Sequence, residues 1–292
     1  MDVVHWERRR PLRRPLLVVA FEGWNDAGDA ATLALAYLAR AWEATPLGSI
    51  DPEEFYDFTA TRPQVRIVDG ETRTIKWPAV ELLVAELPGT GRDVVLVRGT
   101  EPQLKWRTFC AAIVEVADEV GAELAVILGA LLADVAHTRP VKISGTTEDA
   151  ELAGRLGLAA SAYEGPTGIV GVLHAALSEA GVPVASFWAA VPHYVHQVPS
   201  PKAALALVEH SAALLGAPVN PLELKVAAEE YERQINERVA DDDDAAAYVA
   251  QLEQADDLEE PSAGPAGHLH PGGVEELASE VERFLREHPG GQ

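Results

Sequence analysis

The chain reads as an α/β protein: a mostly parallel sheet flanked by helices, with a local β-hairpin and a helical C-terminal extension. Three observations predict this. Apolar strand-like runs alternate with helical patterns up to about residue 220, too regularly for an all-β or all-α chain. Five of these runs end in a compact loop of Gly, Pro, acid, Trp or His: LLVVAF then EGWNDAG, VVLVRG then TEPQLKW, LAVILGALL then ADVAHTRP, AASAY then EGPTGI, and VASFWAAV then PHYVHQVPSP. From Pro221 onward strand signals stop while helical ones continue. Because α/β sheets gather functional loops at the carboxyl ends of their strands, the five loops mark the edge where a site is expected.

Residues 1–14 form a basic arm carrying Arg8, Arg9, Arg10, Arg13 and Arg14. Leu16 to Phe21 follows as a buried strand, and Glu22 ends the apolar run before a signal-peptide core of usual length is reached. A helix is expected from about Ala27 to Trp42, capped by Asp26 or Asp29, with alanines that allow close packing. Between Val65 and Trp77, Asp69-Gly70 is flanked by alternating residues, a hairpin signal because both turn positions need positive φ. This hairpin should be a local antiparallel decoration of the parallel sheet. Asp93 to Arg98 and Glu123 to Leu128 are core strands, with a helix over Leu104 to Val120 between them. Val141 to Gly145 is a short strand, Asp149 to Leu156 a short helix, and Gly168 to Ala180 a helix closed by Gly181. Val184 to Val191 is a further core strand, and Pro201 to Leu215 a helix closed by Gly216. The α/β domain therefore spans 15–220 and the helical extension, read as helix, Asp run, helix, spans 221–256. Residues 257–292 make an acidic, Pro- and Gly-rich linker and tail, where Val274 to Glu287 can form one short helix and the final HPGGQ is expected to fray.

Bulk composition excludes several classes. With 292 residues, 48% hydrophobic and 24% charged, the chain has the make-up of a soluble globular protein with a sizeable core. Nothing approaches the roughly eighteen unbroken apolar residues of a membrane span. The lone cysteine, Cys110, excludes an intrachain disulfide, fits a reducing cytoplasm, and lies in a helical pattern as a small core residue. The net charge is −23, and residues 241–260 hold nine acids with no Lys or Arg. That run reads as a solvated, self-repelling segment; a docking surface for a basic partner is the sharper alternative. Five lysines in the whole chain, and no arginine stripe beyond the N-terminal arm, leave too little clustered positive charge for nucleic acid.

The loops supply the chemistry-bearing candidates. EGWND puts Glu22, Trp24, Asn25 and Asp26 at the end of the first strand. Either carboxylate could be a general base if partial burial raises its pKa. The structural reading makes Asp26 a helix cap and packs Trp24 under the loop, leaving Glu22 open. Asp134 and His137 lie three apart, as do His193 and His196, a spacing that can present two metal ligands on one helical turn. The neighbouring Pro140, Pro192 and Pro199 argue for irregular loops, and no HExxH or CxxC pattern is present, so no metal is expected. His137-Thr138-Arg139 is equally explained by loop-fixing hydrogen bonds. Gly165-Pro166-Thr167-Gly168 opens a helix, where Thr167 can cap and free N–H groups can hold a carboxylate or phosphate; a tight turn is the plainer account. Glu101, Trp106 and Tyr194 complete the expected crevice, although Trp106, Phe109 and Ile113 at helical spacing read first as core or interface. Neither a P-loop nor a GxGxxG fingerprint occurs, Ser144 and Ser161 lack a GxSxG context, and no cofactor is expected.

Taken together, LLVVAFEGWNDAGDAA, EPQLKWRTF, LGALLADVAHTRPV, YEGPTGIVGVLH and WAAVPHYVHQVPSPKAAL strongly resemble the PAC2 family of proteasome-assembly-chaperone-like proteins, over roughly residues 15–256. The resemblance implies a three-layer α/β fold similar to nucleoside phosphorylases and peptidyl hydrolases. It also implies homo-oligomers and a non-catalytic role in binding proteasome subunits or assembly intermediates. Some chaperones of this class dock through a hydrophobic–Tyr–any-residue C-terminus; this chain ends His288-Pro289-Gly290-Gly291-Gln292, so that mode is not expected. The alternative function is a small-molecule binder, or a hydrolase- or ligase-like enzyme, in which Glu22, Asp134, His137, Arg139 and His193 converge in the strand-end crevice.

Overall fold

Strand polarity decides the architecture. The computed structural model describes residues 3–68, 72–158, 161 and 163–258. In chain order its elements are β1 (Val4–Trp6), β2 (Leu16–Glu22), α1 (Ala30–Ala41), β3 (Thr45–Ile50), β4 (Gln64–Val68), β5 (Thr72–Lys76), β6 (Val80–Leu87) and β7 (Arg92–Thr100). They continue with α2 (Trp106–Val120), β8 (Leu124–Ala133), β9 (Ile143–Thr146), α3 (Ala150–Leu156), α4 (Ile169–Glu179), β10 (Val184–Pro192), α5 (Pro201–Leu215), α6 (Leu222–Ala240) and α7 (Asp243–Leu258). Eight strands form one sheet in the order β1-β3-β6-β7-β2-β8-β10-β9. Its centre, β7-β2-β8-β10, is parallel, and its flanks pair antiparallel. The carboxyl ends of the four central strands therefore share one edge.

The pleat builds three layers. Leu16, Val18 and Ala20 of β2 join one core cluster with Leu35 and Leu38 of α1 and Leu207 of α5. Leu17, Val19 and Phe21 point the other way, into a second cluster with Phe109 and Ile113 of α2 and Leu173 of α4. Alternation along a strand buried on both faces requires this division. Cys110 lies in the second cluster, buried, as its position in the pattern predicts.

Several expectations need correcting. The 65–77 hairpin forms, but β4 and β5 make a two-stranded sheet of their own and decorate no edge of the main sheet. The expected 27–42 helix breaks early. Ala27–Asp29 is a single 3-10 turn, and Gly28 and Asp29 turn left-handed at φ +58° and +51° before α1 starts. AASAY supplies no strand among the described residues. The acidic run is not simply solvated: Asp242 Oδ1 accepts from the Asp244 and Ala245 N–H groups at the start of α7. Glu253, Asp256 and Asp257 meet Thr138, Arg139 and Lys142 on the α/β domain. The Val274–Glu287 helix and the terminal HPGGQ lie outside the described residues.

Candidate functional site

The strand-end edge holds two clusters. At the ends of β2 and β7, Glu22 is exposed and accepts from the Thr100 hydroxyl at 2.9 Å. Asn25 and Asp26 are buried beside it. Asp26 caps α1 as expected, although Asp29 intervenes in sequence: its Oδ1 accepts from Ala31 N–H at 2.7 Å and Thr32 N–H at 3.3 Å, and its Oδ2 from the Thr32 hydroxyl. Burial pushes the Asp26 carboxyl up to about 6, against the pull of those donors. Trp24 does not pack under the loop; it stands 64% exposed.

Glu101 organises this cluster, a role that no local pattern announces. Its Oε2 accepts from Trp24 N–H at 3.3 Å, and its Oε1 from Asn25 Nδ2 at 3.2 Å and Ile169 N–H at 2.9 Å. The anion position at the start of α4 is therefore filled by the protein's own carboxylate, which suits the partial positive charge of a helix N-terminus. Thr167 does not cap α4, as its sequence position suggested. Gly168 is the N-cap residue, without a side-chain bond. A Cβ at Gly168 would lie 2.3 Å from Asn25 Nδ2, so a larger residue there would displace the Asn25 amide from Glu101. Gly165 sits in the preceding turn at φ +158°. Trp106 donates its indole N–H to the Pro102 carbonyl and packs on the second core cluster.

At the ends of β8 and β10 the remaining candidates meet the helical extension. His137 is buried; its Nδ1 lies 2.7 Å from the Tyr194 hydroxyl and its Nε2 3.0 Å from Asn236 Oδ1 on α6. The Tyr194 oxygen also accepts from His137 N–H at 2.8 Å. Burial lowers the His137 pKa, and burial lifts Tyr194 to about 12. Asp134 pairs with His193 Nδ1 at 3.0 Å, while Arg139 donates to the Glu253 carbonyl and to Asp257 on α7. The cavity lined here by His137, Arg139, Pro192, Ser200, Lys202 and Tyr231 measures about 10 Å³, room for no more than one water.

The candidates thus fall into two fastened groups. Glu101 ties three loops, and His137, Asp134, Arg139 and Tyr194 bind the extension to the sheet edge. Among the described residues no three His, Cys, Asp or Glu side chains are placed to hold a metal, and no helix is long and apolar enough to cross a membrane. A Ser–His contact that the sequence did not flag joins Ser186 Oγ to His174 Nδ1 at 2.7 Å. Both are buried beneath the sheet surface, where each satisfies the other. Burial pushes the Cys110 thiol up to about 12, so it carries no thiolate near neutral pH.

These features define an α/β sandwich with a helical pair strapped over the carboxyl ends of its strands. The PAC2 family model matches residues 20–239, and the chain belongs to the PAC2 family. It is similar to the crystal structure of a PAC2 family protein from Streptomyces avermitilis: 47% identity over 80% of this chain and 99% of that one, TM-score 0.76. It is 49% identical to a proteasome-assembly chaperone homologue from Mycobacterium tuberculosis over the same shares, 80% and 99%, TM-score 0.73. A second Mycobacterium tuberculosis protein, of unknown function, is 30% identical over 87% of this chain and 90% of that one, TM-score 0.77. Among curated proteins none matches the chain.

Proposed function

We propose that this protein is a non-catalytic, proteasome-assembly-chaperone-like binding protein of the cytoplasm, acting as a homo-oligomer on proteasome subunits or assembly intermediates. The observation that carries this reading is the engagement of the edge: the Glu101 carboxylate and the His137 imidazole, groups that an enzyme would turn towards substrate, are bonded to neighbouring loops and helices. At the β8 and β10 ends the cavity has room for about one water, which supports binding by the surface over a buried small-molecule site there. Further support comes from the 49% identical relative described as a proteasome-assembly chaperone homologue. The test is co-expression with the α- and β-type proteasome subunits of a proteasome-bearing host. Capture of α-subunits or half-assembled particles by the tagged chain supports the reading. Recovery of neither, under conditions that retain assembly intermediates, overturns it.

A further inference from the structure

The helical strap covers only part of the strand-end edge. α7 crosses the ends of β8 and β10, and its last turn is fixed there by Asp256 on Lys142 and Asp257 on Arg139. At the ends of β2 and β7, three large apolar side chains stand open: Trp24 is 64% exposed, Leu104 47% and Tyr163 42%. All three belong to the loops that meet on Glu101. Trp24 donates its N–H to that carboxylate, Leu104 lies three residues beyond it, and the loop of Tyr163 leads to Ile169, whose N–H it accepts. The Tyr163 hydroxyl donates to the Pro166 carbonyl at 2.8 Å, which folds the ring over the Gly165 turn. Loops fastened in this way lose little conformational freedom when something is laid on them, and clustered apolar exposure marks a contact surface. Its polar rim is mixed: Lys105 and Arg107 are exposed at the start of α2, Glu22 and Glu164 on the other two loops.

A covering element of the right kind follows α7 in the sequence. Val274, Leu277, Val281 and Leu285, outside the described residues, recur at the spacing of one helix face. The same stretch carries Glu275, Glu276, Glu280, Glu282 and Glu287 against two arginines, Arg283 and Arg286. Leu258, at the end of α7, is 84% exposed, so the chain leaves the strap at the surface. Residues 259–273 can span about 50 Å when extended, whereas β9 and β7 are four strand spacings apart, about 19 Å. Reach is ample, and charge chooses the landing place. The exposed apolar pair of the strap itself, Leu222 and Val226 on α6, is flanked by Glu223, Glu229 and Glu230, which repel an acidic segment. Lys105 and Arg107 attract one.

We infer that residues 274–287 lay their apolar face over Trp24, Leu104 and Tyr163 of the same chain. The C-terminal segment thereby completes the cover that α7 begins, with its acids towards Lys105 and Arg107. This contact lies within one chain and does not depend on the functional reading above.

Hydrogen exchange read by mass spectrometry on the full-length chain tests it. In the wild type, residues 274–287 and the loops 22–24, 104–107 and 163–167 are expected to be protected together. Leu277→Asp with Val281→Asp should speed exchange in the segment and in all three loops by about tenfold or more, with β2, β7 and β8 unchanged. Trp24→Ser with Leu104→Ser, two exposed positions, should release the segment to the same extent. A wild-type segment that exchanges as fast as an unstructured peptide overturns the inference. Protection that survives the Trp24/Leu104 change places the segment elsewhere and overturns it too. Protection lost on dilution means that a second copy supplies the segment, and the contact within one chain falls.

Discussion

Asp26 shows what one buried carboxylate does at this edge. It closes the start of α1 from three residues before the adjacent Asp29, because the left-handed pair Gly28 and Asp29 folds the chain back under it. Its folded pKa, about 6, lies above the ordinary 3.8. A raised carboxyl pKa contributes stability that is fully present below the unfolded value and is lost as pH rises through the folded one. Stability of the wild type minus that of Asp26→Asn should therefore fall between about pH 4 and 7, by an amount on the order of 3 kcal/mol. Urea unfolding of both proteins across that range is the measurement, and a flat difference curve contradicts the assignment. Asp26→Ala, which deletes the cap outright, should cost about 1 kcal/mol more than Asp26→Asn at acid pH. The cap was legible in the sequence, since an acid just before an alanine-rich run is a local signal. Glu101 was legible only as a member of the crevice. Its donors, Trp24, Asn25 and Ile169, come from segments far apart in the chain, and only the folded sheet brings them to one carboxylate.

At the scale of elements, α6 and α7 are held by polar fasteners together with a few buried apolar side chains. Val249 and Leu252 of α7 share a small cluster with Ala136, separate from the two main cores. The His137 ring bridges Tyr194 and Asn236, and burial lowers its pKa. A lowered imidazole pKa contributes stability present above the unfolded value, about 6.5, and lost as pH falls through the folded one. Acidification below about 6.5 should thus loosen α6–α7 before the sandwich, visible as faster amide exchange in 222–258 with β2, β7 and β8 still protected. The buried His174 and the half-buried His210 shift the same way, so the control is His137→Gln, in which this selective loosening should disappear. Uniform loss of protection across sandwich and extension would refute the fastener. The same scale explains which elements the sequence conceals. Central strands such as β2 and β8 are continuous apolar runs and were read within a few residues, whereas β1, β3 and β6 were not expected at all. β3 contains Pro46 and Gly48, both turn signals. β6, VELLVAEL, is built of good helix formers that only pairing with β3 and β7 turns into a strand. β1 hides as three residues in an arginine-rich arm, tied down when its register meets β3.

For the whole molecule, the question is whether the extension belongs to the folding unit. The two large core clusters draw almost all their fully buried side chains from residues 4–217. The extension adds Ala228, Tyr231 and Ile235 of α6 and Val249 and Leu252 of α7 as buried residues, against a surface otherwise bridged by ion pairs such as Lys202–Glu232 and Lys142–Asp256. Exposed or half-exposed pairs of this kind contribute little each, so their loss alone cannot unfold a sandwich packed on both faces of an eight-stranded sheet. A chain ending at residue 220 should therefore retain one cooperative thermal transition, with Tm lower by roughly 5–10 °C. It should also bind a hydrophobic dye weakly, because Tyr194, Ala136 and the α5 face that met α6 become open to solvent. Calorimetry decides the matter. A broad, non-cooperative melt would mean that α6 completes the core, and would move the domain boundary from about residue 220 to the end of that helix. A cooperative melt would leave the chain from β1 to residue 220 as a self-sufficient sandwich, its N-terminal arm included because Val4–Trp6 pairs with β3, with the helical pair a strap over its functional edge, held there by His137, Arg139 and Lys202 and released when those contacts are lost.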